Sequence, residues 1–463
     1  MGPATRDEGD DAVGDMFRLD EDMADLVLEY CRARLALEEV PLDRPGERAA
    51  LDEALDGIVG RGGNDASHVL RIFETVLAPA VISCDSPRFL AFIPAAPTKA
   101  ALLFDMVVSS ASLQGISWLE AAGAVAAENQ VLALLARLAG MPGGSGGCFV
   151  SGGSAANLSA LAVARDRGRE CTGHERVRVA VGEEAHSSVA SALHLLGIRP
   201  LVVPCVDHRL TGAALRDALG RDESPGDVVA VVATAGTTNA GIVDDLAGVG
   251  AVAGERGMWF HVDGAYGGAG IFSESLRPLL AGIGRADSFV VDPHKWLFAP
   301  FDCAALVYRE PEHARRVHTQ HAGYLEVLHG DAPGTWNPSD YAFHLTRRAR
   351  GLPLWFSLAV HGSDAYGRAV DAVVERARRA AAMVRSRPWL ELVREPETSI
   401  VLFRRLGWEP QDYARWSERL VDEQVAFVVP SRWEGETVAR LAFLHPGTTD
   451  EVVEEVLAST STP

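Results

Sequence analysis

The chain opens on polar residues and then settles into apolar positions at helical spacing. "FRLDEDMADLVLEYCRARL", "ERAALDEALDGIVG" and "DASHVLRIFETVL" each place hydrophobic side chains three and four residues apart, so about the first 85 residues read as helices. Near Gly140 the texture changes. Short β-branched runs, "VRVAV", "RPLVVPCV", "DVVAVVATA", "GMWFHVD", "DSFVVD" and "CAALVYR", now alternate with Ala- and Leu-rich helical stretches. Strands separated by helices predict an α/β domain with a mainly parallel sheet. Beyond Arg350 the helical "DAVVERARRAAAMVRS" precedes "SIVLFRRL", "AFVVPS", "ARLAFLH" and a terminal helix starting near Thr448, which predicts a smaller α+β unit. No internal repeat is visible. The Gly143–Gly147 run "GGSGG" has linker composition, but it leads straight into a strand and is too short to separate domains.

With 463 residues, 48% of them hydrophobic, the chain can bury a large core in two or three packed units. Its formal charge is −20, from 63 acidic and 43 basic residues, and it has no long Lys/Arg run. A nucleic-acid backbone or an anionic membrane surface would be repelled, so neither is expected as a partner. The six cysteines are scattered without C-x-x-C or paired Cys/His spacing, which argues against a structural zinc and a disulfide framework and for a reducing cytoplasm. The acidic start lacks a basic segment followed by an apolar one. No apolar run reaches the roughly 18 to 20 residues that cross a bilayer.

In a parallel sheet, ligands sit at the carboxyl ends of the strands, so the informative residues are those directly after each apolar run. Four sets stand there. After "CFV" comes Ser151-Gly-Gly-Ser-Ala-Ala-Asn157 and a helical stretch, whose free N–H groups suit a phosphate; a plain capped helix after a tight turn would explain it equally. Glu183-Glu-Ala-His-Ser-Ser188 follows "VRVAV", and Asp263-Gly-Ala-Tyr266 follows "GMWFHV"; a lone His or Asp there is usually structural. Lys295 follows "SFVV", after Asp292 and His294 and before the apolar Trp296 and Leu297, an unusual setting for a surface lysine. A phosphate loop, a stackable imidazole, a carboxylate and a semi-buried lysine at one sheet edge are the parts that hold pyridoxal phosphate.

"SGGSAANL", "EEAHSSV", "HVDGAYGG" and "DPHKWL", in that order, resemble the group II pyridoxal-phosphate decarboxylases, the aromatic L-amino-acid decarboxylase family, and the similarity runs from "SPRFLAFIP" to "RLAFLHPGTTDE". The resemblance implies the aspartate aminotransferase-like fold, type I, with a helical segment at 1–85 that packs on a partner subunit, a large cofactor-binding domain at 86–350 and a small C-terminal domain at 351–463. It implies a homodimer with the active site at the subunit boundary. Lys295 would join the cofactor covalently, its amine kept neutral by apolar burial. Asp263 would pair with the pyridine nitrogen, His186 would stack on one ring face, and Ala265, two residues along the same extended strand as Asp263, would pack under the other. Gly153 and Ser154 would hold the phosphate, with His294 and Thr238 nearby. Asp292 departs from members with Asn at that position and would repel a phosphate it faced, so its role stays open.

Tyr324, in "HAGYLEVL", matches the tyrosine of the family's active-site loop and would return a proton to Cα after carbon dioxide leaves; on its own it reads equally well as part of a surface loop. Relatives that form aldehydes tend to carry Phe at that tyrosine or Asn at the stacking histidine, so keeping both His186 and Tyr324 favours simple decarboxylation. The side-chain pocket would comprise Phe92, Ile93, Pro94 and Ala95, with Gln114, Ile116 and Trp118 on a second wall reaching across a dimer interface. Phe92 and Trp118 suit an aromatic substrate. A glutamate-type substrate would need a cation such as Arg347, and an aminotransferase alternative would use Arg440 for a substrate carboxylate. A catalytically silent binding relative is the remaining alternative.

Overall fold

The computed structural model describes residues 16–94, 96–329 and 335–461, apart from the side chains at 324, 328 and 329. The chain divides into two units, Met1–Ser83 and Cys84–Pro463. The first unit holds the helices Glu21–Ala36, Arg48–Leu55 and Ala66–Ile72 and a π-helical turn, Phe73–Leu77. Asp20 and Asp65 cap the first and third by accepting from the N–H of Met23 and His68. None of these helices buries a residue within its own unit, and Met23, Leu26 and Val27 stay exposed. Helical spacing is present, but among the described residues the buried apolar side chains of this unit, Val40 and Leu42, lie outside its helices.

The second unit is built on a seven-stranded sheet of β1 (Gly146–Val150), β2 (Arg178–Gly182), β3 (Arg199–Val203), β4 (Val228–Thr234), β5 (Trp259–Asp263), β6 (Ser288–Val291) and β7 (Ala304–Tyr308), in the order β1-β7-β6-β5-β4-β2-β3. Pairings are parallel except those of β7, which runs against both neighbours. β1, β4, β5, β6 and β7 are buried along their whole length, which is why they read as continuous apolar runs rather than alternating ones. The helix Gly153–Thr172 lies on one face with Ala156, Ala160, Val163 and Ala164 buried against the strands, small side chains that permit close approach. Gly147 sits inside β1, where a Cβ would fall 2.0 Å from the Leu306 carbonyl oxygen. The glycine run is therefore not a linker: Gly143 and Gly144 form a turn, and Gly146 and Gly147 already belong to β1.

A second, antiparallel sheet comprises β8 (Leu390–Leu392), β9 (Ile400–Arg405), β10 (Ser431–Trp433) and β11 (Glu436–Ala442), in the order β10-β11-β9-β8. Of the predicted strand "AFVVPS", Ser431 alone joins it, as the first residue of β10. Phe427 instead bridges to Phe89, with its N–H on the Arg88 carbonyl and its carbonyl accepting from Leu90. Trp118–Leu138 is, by length and composition, apolar enough to cross a bilayer, which corrects the expectation that no such stretch exists. It buries Val125, Val131, Leu132 and Leu135 within the protein, together with the charged Glu128.

Candidate active site

Because β7 alone is reversed, β1, β2, β4, β5 and β6 end at the same sheet edge, and the loops after them enclose a cavity of about 340 Å³. Gly153, Ser154, His186 and Thr238 line it. Asp263, Ala265, His294 and Lys295 complete the predicted set. Residues up to 142 positions apart in sequence thus meet at one place, as strand order and direction require.

Gly153 begins its helix without a side-chain cap; with the Ala155 and Ala156 N–H groups on the Gly152 carbonyl, the Ser154 N–H is left in the first turn for an anion. A Cβ at Gly153 would stand 2.9 Å from the Ala265 Cβ and 3.1 Å from an Asp292 oxygen, so only glycine leaves this floor open. Asp292, whose role the sequence left open, is buried and accepts from the Gly153 N–H at 3.0 Å; the same oxygen lies 3.0 Å from the Lys295 Nζ. Lys295 therefore faces a carboxylate, not the apolar surroundings expected, and its side chain is 24% exposed. His294 accepts from the Cys303 N–H at 3.0 Å, and burial lowers its pKa.

β5 ends at Asp263, and Ala265 returns to the cavity by a turn in which its N–H donates to Asp263 Oδ1 at 3.1 Å. Turn geometry, not the expected strand alternation, puts Ala265 in place. Asp263 Oδ2 accepts from Asn157 Nδ2 at 2.9 Å, and the same amide donates to Ser188 Oγ at 3.0 Å, which lies 2.9 Å from His186 Nδ1. His261 Nε2 is 2.9 Å from Asn157 Oδ1, and its Nδ1 is 2.8 Å from Ser288 Oγ. Asn157 and His261 were missed as site residues, although Asn157 stands in "SGGSAANL" and His261 is two residues before Asp263, on the same side of β5. Among the described residues, no Lys or Arg forms an ion pair with the buried Asp263. A buried carboxylate held only by neutral donors favours a cationic partner, and a protonated pyridine fits that requirement.

The predicted pocket residues do not line this cavity within one chain. Phe92 is 58% exposed at a φ of +48°, Ile93 is half-buried, Pro94 is buried, and Ala95 lies outside the described residues. Gln114 lines a separate groove of about 940 Å³ with Phe104 and Trp355, while the Ile116 carbonyl accepts from Ser339 and the Trp118 N–H donates to Asn337. The side chain of Tyr324 also lies outside the described residues. Arg347 is fully buried and donates to both Glu128 oxygens, at 2.8 and 2.7 Å, and to the Gly115 carbonyl. Arg440 donates to the carbonyls of Phe92, Thr238 and Asn239. Both arginines are engaged, so neither stands ready for a substrate carboxylate as the alternatives required.

Fold and site together define a pyridoxal-phosphate enzyme of fold type I. Residues 51–406 match the family model described as the pyridoxal-dependent decarboxylase conserved domain, and the chain belongs to that family of amino-acid decarboxylases. It is 29% identical over 456 residues to the aromatic-L-amino-acid decarboxylase of Bacillus atrophaeus, covering 96% of this chain and 94% of the relative. The L-2,4-diaminobutyrate decarboxylase of Rhizobium meliloti is 30% identical (89% and 84% covered), and the phenylacetaldehyde synthase of Arabidopsis thaliana is 27% identical (85% and 80% covered). The crystal structure of Oryza sativa TDC with PLP and tryptamine shares the fold, with a TM-score of 0.88, 24% identity and 95% and 97% of the two chains covered.

Pyridoxal phosphate, when bound, supplies the electron sink for breaking a bond at the substrate's Cα. The residues present fit it. Lys295 would hold it covalently, Asp263 its ring nitrogen, and His186 and Ala265 its two faces. The Gly153–Ser154 helix start, with Thr238 and His294, would hold its phosphate.

Proposed function

We propose that this decarboxylase acts on an aromatic L-amino acid, releasing the amine and carbon dioxide, as a cytoplasmic homodimer. The observation that carries the reaction type is the histidine at 186, held at the cavity by Ser188, where aldehyde-forming relatives tend to differ. The aromatic substrate is supported by Phe92, whose carbonyl shares the Arg440 guanidinium with the Thr238 carbonyl, and by the engagement of Arg347 and Arg440 elsewhere. Similarity to the aromatic-L-amino-acid decarboxylases adds to it. Tyr324 is assigned as the donor of the proton to Cα.

The homodimer is supported by the first unit, whose helices bury nothing of their own, and by Leu103, Val107 and Leu119, exposed on the helices Lys99–Ser110 and Trp118–Leu138, whose Phe104 and Glu120 line the same groove as Gln114. In such a dimer the Gln114–Trp118 segment would complete the partner's substrate pocket. The six free cysteines fit a reducing compartment.

Product analysis tests the reaction. Purified holoenzyme is given L-tryptophan, L-tyrosine, L-phenylalanine, L-glutamate and L-2,4-diaminobutyrate under air. The expected result is amine plus carbon dioxide from the aromatic acids, without oxygen uptake. Aldehyde with ammonia and peroxide would make it an aldehyde synthase, and turnover confined to diaminobutyrate or glutamate would refute the aromatic assignment. An active monomer in sedimentation at assay concentration would refute the dimer.

A further inference from the structure

We propose that Asn157 and His261 are positioning residues that hold the Asp263 carboxylate and the His186 imidazole as one hydrogen-bonded unit with a single proton arrangement. The inference rests on the pyridoxal-phosphate site but not on any substrate assignment.

The arrangement follows from counting donors. An ionised Asp263 only accepts, so the Asn157 atom at 2.9 Å from it is the amide nitrogen, and Asn157 Oδ1 faces His261. That oxygen needs a donor, so His261 carries its proton on Nε2. Burial holds His261 in its neutral form, lowering its pKa to about 4, which leaves Nδ1 as an acceptor. Ser288 Oγ, 2.8 Å from Nδ1, must then donate to His261 while it accepts from Trp259 Nε1 at 2.9 Å.

On the other branch, the second N–H of the Asn157 amide reaches Ser188 Oγ, freeing that hydroxyl's proton for His186 Nδ1. The Ser188 backbone N–H also points at His186 Nδ1, at 3.2 Å, so His186 carries its proton on Nε2. Apart from His186 Nε2, each polar side-chain atom in this series has a partner, and Asn157, Ser188, His261, Asp263 and Ser288 are buried, so breaking one contact leaves a polar group without ready replacement by bulk water. Rotating the Asn157 amide by half a turn would put its oxygen against the carboxylate and break the series at three places. One amide therefore sets both groups that would meet the cofactor ring, the carboxylate at its nitrogen and the imidazole on its face.

Three variants and one measurement on the unaltered protein test this. Gln at 261 places an N–H about where Nε2 stands, whereas the shorter Asn reaches only toward Ser288. His261→Gln should keep pyridoxal-phosphate affinity within about threefold, while His261→Asn and Asn157→Asp should weaken it by about tenfold or more. In ¹⁵N-histidine NMR, His186 and His261 should both show the Nε2–H tautomer in unaltered protein, and His186 should become a mixture in His261→Asn. Equal affinity of His261→Asn and His261→Gln with an unchanged His186 signal would overturn the proposal. An Nδ1–H tautomer at either ring in unaltered protein would do so too, even if the variants fail to fold. The rings are read with and without cofactor, so a failure of the proposal shows in the tautomers and a failure of the cofactor site shows in the titration.

Discussion

Replacing Arg347 by Met removes, among the described residues, the only positive charge paired with Glu128, at a site where both side chains are essentially inaccessible to water. The Gly351 N–H, 2.8 Å from Glu128 Oε1, remains, but it is a neutral donor. The stranded carboxylate has two courses. Staying ionised in the interior costs about 3–5 kcal/mol, and taking up a proton at pH 7 from an ordinary value near 4.3 costs about 4 kcal/mol. The cheaper course sets the loss, so Arg347→Met should be less stable by about 3–4 kcal/mol at neutral pH. The sign of its pH dependence follows. A carboxyl that is protonated when folded and ionised when unfolded carries a penalty that grows as pH rises above about 4.3. The stability gap between unaltered and variant protein should therefore narrow, by about 1.4 kcal/mol per unit, as pH falls from 7 toward 5. Urea unfolding at several pH values measures the gap, and adding Glu128→Gln to Arg347→Met should recover part of it, because a neutral amide still accepts from Gly351. A gap below about 1 kcal/mol at pH 8, or one that widens toward pH 5, would refute the reasoning. Because Arg347 also holds the Gly115 carbonyl, the Gln114–Trp118 segment should loosen in the single variant, visible as faster amide hydrogen exchange there.

Three further outcomes are expected. His261 is neutral in the fold and depressed to about 4, so the stability it contributes is present above its unfolded value near 6.5 and lost as pH falls toward 4, by about 3 kcal/mol at most; between pH 7 and 5 the melting temperature of His261→Gln should fall less than that of the unaltered protein, and parallel falls would count against it. Asp263→Ala should still form the visible lysine-bound cofactor band while turnover drops at least about a hundredfold, and near-normal turnover would show that Asp263 does not hold the ring nitrogen. Tyr324→Phe should divert product from amine to aldehyde under air, and an unchanged amine yield without oxygen uptake would return Tyr324 to a surface role.

Where sequence expectation and structure part, the reasons are specific. "AFVVPS" has strand composition, yet Phe427 pairs with Phe89, a residue more than three hundred positions earlier, and no local pattern encodes that partner. Helix Trp118–Leu138 looks like a sheltered apolar run interrupted by Glu128, and the charge makes sense only once Arg347 is seen beside it. Lys295 was expected among apolar neighbours because Trp296 and Leu297 follow it; in the short helix Pro293–Trp296 those side chains turn into the core while Nζ turns toward Asp292, three residues back.

What the sequence by itself determined is local. The buried strands announce themselves as largely continuous apolar runs, because a parallel sheet covered on both faces favours apolar side chains, and the residues after each run mark the carboxyl edge where chemistry gathers. Lys295, Asp263, His186 and Gly153 were legible for that reason, each at a strand end. What only the tertiary structure decided is which polar atoms face one another. Asn157 and His261 look like an ordinary helix residue and an ordinary strand residue, and Arg347 and Arg440 look like free cations, until the fold assigns their partners. Hydrogen bonds in a buried interior reach about 3 Å, so their pairing depends on the packing of whole elements, which a local pattern of side chains does not contain.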